Sequence, residues 1–234
     1  DGGNALNVQS TLTTNAGAIT LSADDDVIFN ATGQLASANG NISVTADDDA
    51  TSDAGSGGAL TMDAATVFNA GSGTITGIAD EDITLGQMTT PNATTAAITL
   101  NTASGNILDG DTTGANDLTA NNGTVAVTTG GGTFGTDANA IEIASAALST
   151  TGIPVTVVTP TSAETLSGTT ETVGEASVDQ TINVVEDLVN TVGKSNQIVT
   201  GNSGSTVSAG IAPLQPGSGP VIVDVYSEQY NLVS

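Results

Sequence analysis

Gly17-Ala18-Ile19-Thr20-Leu21-Ser22-Ala23-Asp24-Asp25-Asp26-Val27-Ile28-Phe29-Asn30-Ala31-Thr32-Gly33 is the stretch on which the fold turns. Its opening word, glycine, any residue, apolar, polar, apolar, returns at Gly40-Asn41-Ile42-Ser43-Val44, Gly58-Ala59-Leu60-Thr61-Met62 and Gly123-Thr124-Val125-Ala126-Val127. Looser copies occur at Gly73-Thr74-Ile75-Thr76-Gly77, Asp82-Ile83-Thr84-Leu85, Ala96-Ala97-Ile98-Thr99-Leu100 and Gly105-Asn106-Ile107. Apolar residues at every second position mark short strands with one face in and one out.

Spacing says how such strands are stacked. Ile19 to Ile42 is 23 residues, and so is Ile75 to Ile98, while Phe29-Asn30-Ala31 returns as Phe68-Asn69-Ala70 after 39. Coils of roughly 20 residues, each supplying two or three strands and stacked about 4.8 Å apart, fit these intervals. The shorter steps, Ile42 to Leu60 and Leu60 to Ile75, read as turns of unequal length, and Asn30 and Asn69 read as an amide ladder between coils. The expected fold is all-β, a right-handed parallel β-helix over 1–158; a meandering β-sandwich is the alternative, and near-identical repeated words favour the solenoid.

The remainder of the chain reads differently. A polar connector at 159–176 leads to an amphipathic helix at 177–193, with Ser177 and Gln180 at capping-box spacing and Ile182, Val185, Leu188, Val189 and Val192 at helical period. A Gly/Ser/Pro arm at 194–220 and a strand in 221–234 close the sequence.

Composition narrows the function. Of 234 residues, 25 are acidic and only Lys194 is basic, for a net charge of -24. Nucleic-acid backbones and anionic lipid headgroups both need Lys and Arg, so neither is an expected partner, and no apolar run is long enough for membrane insertion. With no His and no Cys, the usual nucleophile-base pairs cannot be assembled. A lyase lacks its basic group, and paired carboxylates for glycoside hydrolysis lack the aromatic platforms of a sugar cleft. The chain is not expected to be an enzyme.

One acidic constellation stands out. Asp24-Asp25-Asp26 and Asp47-Asp48-Asp49 lie at the same offset after Leu21 and Val44, with Asp80-Glu81-Asp82 and then Asp109 and Asp111 in further turns. Stacked at one corner, such carboxylates repel by roughly 1 kcal/mol per pair in water and about 4 at an intermediate dielectric. They read either as a structural Ca2+ site or as solvated turn residues, which Asp favours in any case.

The words from Gly17 to Gly33 resemble the repeat regions of giant secreted bacterial exoproteins of the filamentous haemagglutinin type, over about residues 1–150. The resemblance implies a right-handed parallel β-helix, export from a bacterium, and service as an adhesin or surface filament. Secretion or display at the cell surface is the expected localisation.

Three functions compete: a fibre subunit, an adhesin contacting surface glycans or other cells, and an ice-binding solenoid carrying Thr20, Thr61, Thr76, Thr84 and Thr99 outward. The fibre reading is the leading one. A first coil at Leu6 and Val8 with no helix in front leaves strand edges open. The terminal strand, Val221, Ile222, Val223, Val225 and Tyr226, either joins the next subunit head to tail or folds back on its own coils.

Overall fold

The structure, a computed structural model, describes residues 5–47, 58–136 and 138–153, and beyond these a set of strands to 232 for which backbone pairing alone is described after Val158. It is an all-β parallel solenoid with three columns of strands.

The first column stacks β1 (Leu6–Val8), β4 (Val27–Phe29), β7 (Leu60–Met62), β10 (Ile83–Leu85) and β13 (Ile107–Asp109). The second stacks β2 (Thr11–Thr14), β5 (Gln34–Ser37), β8 (Val67–Asn69) and β11 (Gln87–Thr89). The third stacks β3 (Ile19–Ala23), β6 (Ile42–Ala46), β9 (Ile75–Ala79) and β12 (Ile98–Thr102). Two long strands, β14 (Leu118–Thr129) and β15 (Ile141–Thr151), bend at a register shift and serve the second and third columns in turn.

Alternation drives each strand into its place. In β6, Ile42, Val44 and Ala46 are buried while Ser43 and Thr45 are half-buried on the other face. Ile19, Ile42, Ile75, Ile98, Val125 and Leu148 lie one above another, so that similar apolar side chains repeat along the core axis. Val27, Leu60, Ile83 and Ile107 do the same in the first column.

That arrangement corrects two expectations. Leu60 is stacked on Val27 and Ile83, not on Ile42, so the short steps around it are moves between faces of one coil, and Ile42 pairs directly with Ile75. Phe29 belongs to the first column and Phe68 to the second, so Asn30 and Asn69 form no ladder. The same local word serves two faces because each face asks only for alternation.

Glycine at the corners is explained by the stacking itself. A Cβ on Gly40 would lie 2.0 Å from the Gly17 carbonyl oxygen, one on Gly73 2.3 Å from that of Gly40, and one on Gly132 1.9 Å from that of Gly105. Side-chain hydroxyls satisfy the polar groups there: Ser37 Oγ accepts from Gly40 N at 2.7 Å, and Thr102 and Thr129 donate to the carbonyls of Gly105 and Gly132 at 2.7 and 2.8 Å.

Past Phe134, which bridges to Ile107, no described strand joins the first column. The second column goes on through β16 (Val157–Pro160), β18 (Thr172–Val173), β20 (Ile198–Thr200) and β22 (Asp224–Ser227), the last also antiparallel to β23 (Tyr230–Leu232). The third continues through β17 (Thr165–Ser167), β19 (Thr181–Val185) and β21 (Thr206–Gly210).

Of the helix expected at 177–193, only 181–185 lies among the described residues. Thr181–Val185 is a strand, parallel to Thr206–Gly210. Thr, Ile and Val, four of its five residues, are β-branched types that favour strands over helices. Residues 177–180 and 186–193 lie outside the described residues.

Candidate metal centre

Several of the acidic residues singled out in the sequence are committed to the backbone. Asp26 stands at the corner before Val27, and its Oδ1 accepts from the amides of Gly58 and Ala59 at 3.0 and 2.9 Å. Two coils on, Asp82 Oδ1 accepts from Asn106 N at 2.6 Å, and Asn106 Oδ1 accepts in turn from Thr133 N at 2.9 Å. Each carboxylate or amide thus caps the start of the strand stacked on it. Asp24 is exposed, Asp25 and Asp47 are half-buried, and Asp47 N donates to the Asp25 carbonyl at 3.2 Å. Asp48 and Asp49 lie outside the described residues. Asp24, Asp25, Asp26 and Asp47 do not converge into a set of three carboxylates that one ion could share.

Among the described residues, the carboxylates that do converge are Asp109, Asp117 and Glu142, with one oxygen from each lying within 4.8 Å of the others. Asp109 ends β13, and Asp117 directly precedes β14, so a short loop joins them around one corner. Glu142, the second residue of β15, lies beside Asp117 on the following coil. Asp117 N donates to the Glu142 carbonyl at 3.0 Å, and Glu142 N donates to Asp117 Oδ2 at 2.9 Å. Asp109 Oδ1 accepts from Asp111 N at 2.7 Å. Asn139 Nδ2 donates to the carbonyls of Asp109 and Asp111, and the Asp111 carboxylate is taken up by Thr113.

The electrostatics of this corner are one-sided. Asp117 is 1% exposed, and its Oδ1 and Glu142 Oε2 are buried with no hydrogen-bond partner. Burial first, then the charges of Asp109, Glu142 and Asp111, push the Asp117 carboxyl up to about 9, against one opposing hydrogen bond from the Glu142 amide. Asp109 and Glu142 are also raised, each mainly by burial and then by neighbouring carboxylates. Among the described residues no side chain supplies a balancing charge; the sole basic residue of the chain, Lys194, lies outside them.

Chemically, the corner must either hold protons or hold a cation. Asp117 is too enclosed to meet a polymeric substrate, whereas a small ion fits such a space. Sequence reading reached Asp109 and Asp111 as turn residues and passed over Asp117 and Glu142, which stand alone among neutral neighbours. The available signal was positional: each comes immediately before an inward apolar residue, Leu118 or Ile143, that pair with one another.

The assembly residues are placed as follows. Leu6 and Val8 lie in β1 against Val27 and Phe29; Val225 and Tyr226 lie in β22 beside Val199 and Thr200 of the same chain; Val221, Ile222 and Val223 are outside the described residues. The threonines considered for ice binding divide between columns, Thr20, Thr76 and Thr99 in the third and Thr61 and Thr84 in the first, so they do not share one face. Among the described residues no helix is long and apolar enough to cross a membrane. The reading of the carboxylate corner rests on its own residues, since no protein-family model, no curated protein and no solved structure matches this sequence.

Proposed function

We propose that the chain is a structural segment of an extracellular or cell-surface filament, built by end-to-end continuation of solenoid coils, and not an enzyme. One observation carries the reading. Among the described strands β1, β2 and β3 each pair on one side, with β4, β5 and β6, so their opposite edges lie in the register of a further coil. Unpaired edges of this kind are templates for another strand, and a contact that does not close into a ring propagates.

A second copy of the chain is the occupant proposed. The high negative charge suits an extended body, where like charges are spaced out, better than a compact cluster of subunits. The likeness of the Gly17–Gly33 words to haemagglutinin-type exoprotein repeats supports the cell-surface setting. Donation of the 221–234 strand would first have to break the Asp224–Tyr226 pairing with Ile198–Thr200, so coil-on-coil stacking is the simpler contact.

Negative-stain microscopy of the purified chain tests this. Uniform unbranched filaments are expected, and monodisperse particles at every concentration would reject assembly. A chain ending at Gly219 that still polymerises assigns the contact to the coils; one that stays single assigns it to the terminal strand.

A further inference from the structure

We propose that Asp109, Asp117 and Glu142 form a divalent-cation site that takes calcium in preference to magnesium. Three carboxylates suit the larger ion, because calcium takes about six to eight oxygens in flexible geometry, whereas magnesium dehydrates reluctantly and usually binds through one or two carboxylates while keeping several waters. The three donor oxygens lie within 4.8 Å of one another. All are carboxylate, a set that suits hard cations and not zinc or copper.

A second observation, separate from the clustering, points to a ligand. Asp117 is 99% enclosed, being 1% exposed, yet its Oδ1 has no hydrogen-bond partner, and Glu142 Oε2 is buried in the same condition. Buried polar atoms are nearly always satisfied, so two orphaned oxygens on two members of one carboxylate cluster indicate a missing electrophile. No described residue can provide it, since the chain has no Arg and no His and its one Lys lies outside the described residues.

The site also has a place in the fold. Asp109 and Asp117 are the two ends of one corner, and Glu142 belongs to the next coil, at the level where the first column of strands gives out. An ion here ties the loop between β13 and β14 to β15 and replaces stacking that the lost column no longer supplies. Its binding does not depend on filament assembly. The raised protonation of all three carboxyls agrees with this, because an ion and a proton compete for the same oxygens.

Titration calorimetry and thermal melting of the full chain, stripped with EDTA and then supplied with calcium chloride, test the site. One calcium per chain is expected, with a rise in melting midpoint of roughly 5 °C at a concentration about a hundredfold above Kd. Magnesium should bind at least about tenfold more weakly. Asp117→Asn, which keeps the shape, should abolish the calcium response while melting in EDTA at or above the wild-type midpoint. Glu142→Gln, at a half-buried position, carries the test if that variant does not fold, with affinity lowered about tenfold or more. A wild-type midpoint that is the same in EDTA and calcium, with no binding heat, overturns the site, as does a calcium response that both variants retain.

Discussion

Phe29 and Phe68 meet edge to face inside the solenoid, with ring centroids 4.7 Å apart and planes inclined at 65°. They come from identical Phe-Asn-Ala words, yet one ring enters from the first column and the other from the second. Both are fully enclosed. Phe68→Ala is expected to cost about 3 to 5 kcal/mol, through lost transfer energy and an unfilled cavity. The double variant with Phe29→Leu should fall short of the sum of the two single effects, because the rings share one contact. Urea unfolding of the four chains measures both; strict additivity would mean that the rings act independently.

Gly40→Ala is a test of coil stacking. The new methyl would sit 2.0 Å from the Gly17 carbonyl oxygen, and neither backbone can yield without breaking the ladder. A loss of about 3 kcal/mol or more is expected. Gly17→Ala is the comparison, since its methyl would meet only Thr14 Oγ1, at 3.0 Å, and a hydroxyl can rotate away. Equal denaturation midpoints for the two would show that glycine is kept at these corners for some reason other than close approach.

Thr129→Val removes a buried hydroxyl that donates to the Gly132 carbonyl at 2.8 Å while keeping the side chain's shape. An orphaned carbonyl costs about 1 to 3 kcal/mol. The same replacement at Thr102, whose hydroxyl donates to Gly105 at 2.7 Å, should cost a similar amount. Thermal melting of both decides, and Thr20→Val, at an exposed third-column position, should change the midpoint little.

Metal-free protein should lose stability as pH rises from about 4 to about 9. Asp117 holds its proton up to about 9 in the fold, against 3.8 for the ordinary carboxyl, so over that window the native state binds a proton that the unfolded chain has released. Its stabilising contribution is complete below about 4 and gone above about 9. Every charged group facing it, Asp109, Asp111 and Glu142, is acidic and pushes in the same direction. Denaturation midpoints in EDTA at pH 5 and pH 8 should differ in that order, and Asp117→Asn should flatten the difference. A midpoint that rises with pH, and does so equally in the variant, would refute the assignment.

The sequence alone determined the class of fold. Gly40-Asn41-Ile42-Ser43-Val44 and its relatives state both the local strand and its inward face, because alternation is written in neighbouring residues. It also determined that one side-chain cation stands against 25 acidic groups, since that depends on composition. Only the tertiary structure decided which copies stack. Leu60 looked like the next rung after Ile42 and proved to belong with Val27, because a strand's pattern carries its face and not its column. Apolar residues from Ile182 to Val192 fit a helical period in the sequence, while the described part of that stretch, Thr181–Val185, pairs as a strand with Thr206–Gly210. The carboxylate corner was the least legible of all. Asp24–Asp26 and Asp47–Asp49 are conspicuous as runs, but of those described Asp26 caps two amides and Asp24 meets solvent. Asp109, Asp117 and Glu142 are scattered in the sequence and converge only because one corner folds over and the next coil lands upon it.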